Sequence, residues 1–268
     1  MAETLRYSVV IPVCDEEENI APLYTRLKPV LNNLGSGYEI IFVDDGSKDK
    51  TFDEISQIAK EDPHTKVIKF RRNFGQSAAV AAGFEHLAGD IVVTMDGDLQ
   101  NSPEDIPKLL DELKKGYDMV CGWRRNRMDS LIGKKVPSRI YNWLASKMSG
   151  AKLHDFGCKL RVYKKEVVKN LCIYGEMHRY IPALAAWNGY VVGEVEVSHQ
   201  RRRYGTTKCG VTRILRGSFD LLTFFFLARY FARPMHLFGT LGVLSTGMGI
   251  LVCVYLTCLL YTSDAADE

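Results

Sequence analysis

The residues best suited to chemistry are Asp96 and Asp98, carried by Ile91-Val92-Val93-Thr94-Met95-Asp96-Gly97-Asp98-Leu99-Gln100. An apolar, β-branched run ends there in two carboxylates one glycine apart. In an open α/β sheet, ligands lie outside the carboxyl ends of the strands. Carboxylates delivered to that edge offer hard oxygen donors to a divalent cation, and Mg²⁺ typically keeps one or two of them alongside substrate phosphates. Gly97 would let a diphosphate approach the backbone. The same Asp-Gly dipeptide also fits an ordinary surface turn. A second pair, Asp44-Asp45-Gly46-Ser47, follows another apolar run, Tyr38-Glu39-Ile40-Ile41-Phe42-Val43.

The elements needed to position these groups are legible in the alternation of apolar runs. Tyr7–Val13 reads as a buried first strand with Pro12 near its end, where no ladder donor is needed. Helices are expected at about Ile20–Leu34, Lys50–Asp62, Ala78–Leu87 and Pro103–Lys115, with Ser77 as the N-cap of the third. Strands are expected at Tyr38–Val43, Thr65–Phe70, Ile91–Met95 and Tyr117–Gly122. A helix at Tyr180–Tyr190 and a strand at Val191–Val197 should complete the sheet edge. Strands alternating with helices imply an α/β fold with a mostly parallel sheet covered on both faces.

Composition narrows the function. The chain has 268 residues, of which 46% are hydrophobic and 25% charged, and its net charge of +3 is too small for a nucleic-acid partner. Seven scattered cysteines without a C-x-x-C pair suit reduced thiols in a cytosol-facing domain. His154, His178 and His199 lack metal-ligand spacing, so a zinc site is not expected. Neither G-x-G-x-x-G nor G-x-x-x-x-G-K-[ST] occurs, so phosphates must be met by a metal and basic side chains instead of a glycine cradle.

Six motifs in order resemble the inverting GT-A glycosyltransferases of family 2, and within them the polyprenyl-phosphate sugar transferases. They are Val10-Ile11-Pro12-Val13-Cys14-Asp15-Glu16, Val43-Asp44-Asp45-Gly46-Ser47 and Arg72-Asn73-Phe74-Gly75, then Met95-Asp96-Gly97-Asp98-Leu99-Gln100, Asp155-Phe156-Gly157-Cys158-Lys159-Leu160-Arg161 and Arg202-Arg203-Tyr204-Gly205-Thr206-Thr207-Lys208. The resemblance implies a GT-A (nucleotide-diphospho-sugar transferase) fold. It implies transfer of one sugar, with inversion, from a nucleotide-sugar donor to a polyprenyl phosphate acceptor. UDP is favoured over GDP because the Asp155–Arg161 segment resembles the bacterial branch.

Carried across by position, it assigns Pro12, Cys14, Glu16 and Asp44 to the nucleotide pocket, with Asp96, Gly97 and Asp98 against the donor diphosphate. Asp96, Asp98 and Gln100 would hold Mg²⁺ or Mn²⁺. Arg202 would neutralise phosphate charge, and Arg124, Lys134 and Ser138 would meet the lipid phosphate. Relatives often carry arginine where this chain has Lys134, a point charge in place of a bidentate fork. Asp155 is the candidate catalytic carboxylate, either stabilising positive charge on the sugar or orienting the acceptor. Its bland alternatives are an N-cap or a salt bridge to Arg161. A processive polysaccharide synthase would need a Q-x-x-R-W motif, which Gln200-Arg201-Arg202-Arg203 does not supply. A membrane-tethered, non-catalytic sugar-nucleotide binding module is the alternative from another class.

The catalytic domain should occupy residues 1–210. Residues 211–233 mix Arg213, Arg216 and Arg229 with a phenylalanine-rich apolar run, which suits an amphipathic helix in the headgroup region. Residues 234–261 should form a transmembrane helix, since Leu237–Tyr261 is an uncharged run long enough to span a bilayer. Basic residues precede it and acids follow it, placing the catalytic domain on the cytoplasmic side, at a bacterial inner membrane. Residues 262–268 read as a truncated or foreign tail, and assembly as a homo-oligomer through the membrane helices is compatible with this layout.

Overall fold

The computed structural model describes residues 5–125, 146, 150–151, 153–200, 223, 226 and 234–264. The chain divides into two units, Met1–Ile214 and Leu215–Glu268.

In the first unit the strands are β1 (Leu5–Val13), β2 (Gly37–Asp44), β3 (Thr65–Lys69), β4 (Ile91–Thr94), β5 (Met119–Trp123), β6 (Arg161–Lys164) and β7 (Val192–Glu196). They form one sheet in the order β3-β2-β1-β4-β6-β5-β7. The helices are α1 (Glu17–Asn32), α2 (Thr51–Glu61), α3 (Gln76–Glu85), α4 (Ile106–Leu113), α5 (Lys165–Lys169) and α6 (Ile181–Trp187). Short 3-10 turns occupy Pro103–Asp105 and Met177–Arg179.

β1 pairs in parallel with β2 on one side and β4 on the other. The chain therefore reverses its direction of progress across the sheet at β1, which is where open sheets place ligands. β2 is buried along its whole length, as expected of a strand covered on both faces. Ile20, Leu23, Leu27 and Leu31 recur at helical spacing in α1 and all are fully buried against the sheet.

Three details depart from the sequence reading. β6 was not expected: Arg-Val-Tyr-Lys carries two cations, yet it runs antiparallel between β4 and β5 with Arg161 buried. The Arg161 guanidinium is tolerated because Nη1 and Nη2 donate to the carbonyls of His178 and Phe156 at 2.9 and 2.8 Å. Nor does Ser77 cap α3. The helix begins at Gln76 with Gly75 as its cap residue, and the Ser77 hydroxyl lies 2.8 Å from His178 Nδ1. The expected edge pair is present but shorter, because Gly189, at a φ of 89°, ends the turn after α6.

In the second unit, α7 (Met235–Asp264) is a single helix. Its Met235–Tyr261 segment has a mean hydropathy of 2.2, is long and apolar enough to cross a membrane, and is not buried within the protein. The juxtamembrane helix expected over 211–233 falls outside the described residues apart from Thr223 and Phe226.

Candidate active site

The loops that leave β1, β2 and β4 are tied into one surface at the carboxyl edge of the sheet. After β1, the N–H groups of Asp15 and Glu16 donate to Ser47 Oγ and Thr51 Oγ1, and Asp15 Oδ1 receives the Lys48 N–H. Asp15 itself sits at a φ of 53°, so this turn is held in the left-handed region by the bonds around it. Cys14 Sγ accepts from Asn73 Nδ2 at 3.3 Å, which joins the Arg72–Gly75 segment to the end of β1. Glu16 Oε2 accepts from Asn19 Nδ2 at 2.5 Å.

The two carboxylates of Asp44-Asp45 do different things. Asp45 is buried, and it accepts the N–H groups of Phe74 and Gly75 at 2.6 and 2.9 Å. Burial raises its pKa and those two bonds only partly offset this. Asp44 is fully buried at the last position of β2; one oxygen receives the Ser47 N–H and hydroxyl. Its other oxygen is buried without a hydrogen-bond partner among the described residues. A buried carboxylate oxygen left open costs stability unless a ligand donates to it, and the base or ribose of a nucleotide offers such a donor. Gly46, at a φ of 69°, closes this turn so tightly that a Cβ would come 2.4 Å from the Arg72 carbonyl carbon.

The Asp96–Gln100 turn follows β4. Gln76, the first residue of α3, donates its amide to Asp96 Oδ1 at 2.6 Å. Asp98 Oδ1 receives the Gln100 N–H at 3.1 Å, and Leu99 takes a φ of 59° with its side chain buried. Gly97 has no room for a side chain: a Cβ would come 2.6 Å from Val13 Cγ1. The turn packs directly on the end of β1. Asp96 and Asp98 are half-buried, and their carboxylates are the hard oxygen donors that a divalent cation such as Mg²⁺ or Mn²⁺ would take. Among the described residues there is no cluster of three or more His, Cys, Asp or Glu placed for a metal.

Behind Asp96 lies a small cavity lined in part by Pro12, Gln76, Lys159, Arg161, Tyr163 and His178. The Lys159 amine is buried with no hydrogen-bond partner among the described residues. Burial pulls its pKa down to about 7; Asp96 opposes the fall, and Arg161, Arg179 and Arg124 add to it.

Asp155, 4% exposed, pairs with Arg124. Arg124 Nε and Nη2 donate to its two oxygens at 2.7 and 3.0 Å, and the Gly157 N–H donates to Oδ1 at 2.9 Å. The candidate catalytic carboxylate and the candidate phosphate-binding arginine are thus brought into contact. Lys134, Ser138 and Arg202 lie outside the described residues. The chain leading to Arg202 is nevertheless fastened beside the Asp96–Gln100 turn: the Gln200 N–H donates to Gln100 O at 2.9 Å, and Asn101 bridges to His199.

Residues 8–172 match the family described as Glycosyl transferase family 2. The chain belongs to glycosyl transferase family 2. It is 40% identical over 260 residues to the dodecaprenyl-phosphate galacturonate synthase of Rhizobium johnstonii, covering 95% of this chain and 76% of that one. It is 38% identical over 255 residues to the undecaprenyl-phosphate 4-deoxy-4-formamido-L-arabinose transferase of Shewanella sediminis, covering 94% and 75%. Among solved structures it is similar to glucosyl-3-phosphoglycerate synthase from Mycobacterium tuberculosis in complex with Mn²⁺, UDP and phosphoglyceric acid. That match has a TM-score of 0.65 at 19% identity and covers 85% of this chain and 78% of that chain. The fold is therefore the GT-A fold of this family.

Sequence reasoning missed Gln76, Lys159 and the Ser77–His178 pair. Gln76 directly follows the quoted Arg72–Gly75 motif, so its place at a helix start beside a strand end was available as a signal. Lys159 gave none, since a lysine next to an arginine reads as solvated.

Proposed function

We propose that this protein transfers a single sugar, with inversion, from a UDP-linked donor to a polyprenyl phosphate at the cytoplasmic face of a membrane. The observation that carries the reading is the Asp96–Asp98 turn, latched by Gln76 and fixed on the end of β1 beside the half-satisfied Asp44. Both curated relatives are named for sugar transfer to or synthesis on a polyprenyl phosphate. The sugars in their names differ in charge: galacturonate carries a carboxylate and 4-deoxy-4-formamido-L-arabinose carries none.

The nucleophile is an oxygen of the lipid phosphate, anionic at neutral pH, so no strong base is required. The difficulty is to bring two anionic substrates together while a nucleoside diphosphate leaves. A divalent cation held by Asp96, Asp98 and Gln100 would supply Lewis-acid charge to the leaving diphosphate. Pro12, Cys14, Glu16 and Asp44 form the nucleotide pocket, and Arg202 offsets phosphate charge. Arg124, with Lys134 and Ser138, receives the acceptor phosphate. Asp155 acts through Arg124: using both oxygens, it fixes the guanidinium for in-line approach of the acceptor. α7 anchors the chain to the membrane that holds the acceptor lipid.

The test is a transfer assay in detergent with undecaprenyl phosphate and radiolabelled UDP- and GDP-sugars, with Mg²⁺, Mn²⁺ or EDTA. A lipid-linked product from a UDP-sugar, abolished by EDTA, is expected. A protein that binds UDP tightly yet transfers nothing would favour the non-catalytic binding module.

A further inference from the structure

The Arg124–Asp155 pair has a companion one position earlier on both segments. Trp123 precedes Arg124 and His154 precedes Asp155, and their rings are stacked, with centroids 4.5 Å apart and planes 19° from parallel. The two segments therefore meet twice in succession, first ring on ring and then guanidinium on carboxylate. β7 holds this register from the side. Glu194, opposite Cys121 in the parallel ladder, accepts the His154 N–H at 2.8 Å with Oε2, and its Oε1 meets the His154 ring at Nδ1. Both carboxylate oxygens are thus taken up by one residue. The Glu194 side chain is 14% exposed, against 44% for Glu196, two residues along the same face of β7, which reaches Arg125 at 3.5 Å. A carboxylate so far withdrawn from water needs its partners, whereas the outer pair adds little.

We propose that Glu194 is a positioning residue for the acceptor phosphate: by holding His154 it sets where Asp155 fixes the Arg124 guanidinium. The inference rests on the proposed function, because it takes Arg124 as the group that receives that phosphate. The path of the segment has other anchors. Leu153 and Phe156 bracket His154 and Asp155, and both are buried in the core. What apolar anchors leave open is the fine placement of the two residues between them, and directional bonds settle that. Displacing a substrate-positioning group by about 1 Å can cost about 100-fold in rate. A partly exposed ion pair, by contrast, contributes little to stability. Loss of Glu194 should thus be felt in acceptor use far more than in folding.

The experiment measures transfer to undecaprenyl phosphate, equilibrium binding of UDP and thermal unfolding, all on the full chain in detergent. Glu194→Ala should lower kcat/KM for undecaprenyl phosphate by roughly 10- to 100-fold while UDP affinity changes less than about threefold. Its melting temperature should stay within about 3 °C of the native value. Glu194→Gln, whose amide can still accept the His154 N–H and donate to the ring, should recover most of the loss. In an Arg124→Lys background, where the grip on both oxygens is already gone, Glu194→Ala should cost less than about threefold more. A native kcat/KM in Glu194→Ala would overturn the proposal, and so would a full further loss in the Arg124→Lys background. A parallel fall in UDP affinity and melting temperature would also overturn it, assigning Glu194 to the fold. Arg124→Ala separates this proposal from the reading beneath it. If that variant is impaired while Glu194→Ala is native, only the role of Glu194 fails. If Arg124→Ala keeps its kcat/KM for undecaprenyl phosphate, Arg124 does not receive the acceptor, and both fail.

Discussion

At the scale of single residues, the site depends on side chains that hold other side chains. Gln76 donates its amide to Asp96. Removing a hydrogen bond to a metal-binding carboxylate typically weakens metal affinity by about 10- to 100-fold. Gln76→Ala should therefore raise the Mn²⁺ concentration needed for half-maximal transfer by about tenfold or more, with a smaller effect at saturating metal. Asp98→Asn should lose activity at every metal concentration, and a variant that kept full activity would remove Asp98 from the metal set. Arg124→Lys tests the pairing with Asp155, since a lysine cannot span both carboxylate oxygens. Its KM for undecaprenyl phosphate should rise while its affinity for UDP stays unchanged, as measured by titration.

Elements decide how near those residues come to one another. The Asp44–Ser47 turn meets the Arg72–Gly75 segment so closely that Gly46 has no room for a side chain and takes a left-handed φ. Gly46→Ala should cost about 1–3 kcal/mol in stability from the backbone conformation alone. It should also weaken nucleotide binding, because Asp45 loses its grip on the Phe74 and Gly75 N–H groups; thermal unfolding with and without UDP checks both. The parallel half of the sheet was legible because strands buried on both faces read as unbroken apolar runs, and β1, β2 and β4 fall within a residue or two of expectation. β6 was not legible. Its polarity is satisfied by carbonyls of Phe156 and His178, one of them 17 positions along the chain, and no local pattern carries such a contact. The motif residues Asp44, Asp96 and Asp98 were legible as a set. Which partner Asp155 takes was not, because Arg124 lies 31 positions away and competes with a nearer arginine.

For the whole molecule, pH stability rests on carboxylates remote from the site. Glu39 and Asp62 are each 2% exposed. Burial alone would raise Glu39, but the Lys66 ammonium, the Ser8 hydroxyl and the Ala88 N–H outweigh it and hold its pKa below the usual range. Asp62 is likewise resisted by burial and held far lower by Tyr24, His64 and Lys28. Both are lowered on folding, so their contribution is full above the ordinary carboxylate pKa of about 4 and is lost as pH falls through that region and below. The melting temperature in detergent should be flat from neutral pH down to about 5 and then drop. Asp62→Asn should lower the plateau and make the acid limb shallower; an unchanged limb would place the acid-labile groups elsewhere.

The antiparallel β6 has one more consequence, and it concerns how such a protein can change. β5 ends and β6 begins at the same rim of the sheet, because the two strands run in opposite directions side by side. The stretch between Trp123 and Arg161 thus departs and returns within one hydrogen-bonded pair, like a tool held in a fixed socket. A change in its length would leave the order of the strands as it is, provided Phe156, Cys158 and Leu160 keep their places in the core. Descent with modification could then retune the site through this stretch, which carries Arg124 and Asp155, without rebuilding the sheet. Grafting this stretch from a relative with a different lipid preference should carry that preference across, as read in a transfer assay with both lipids.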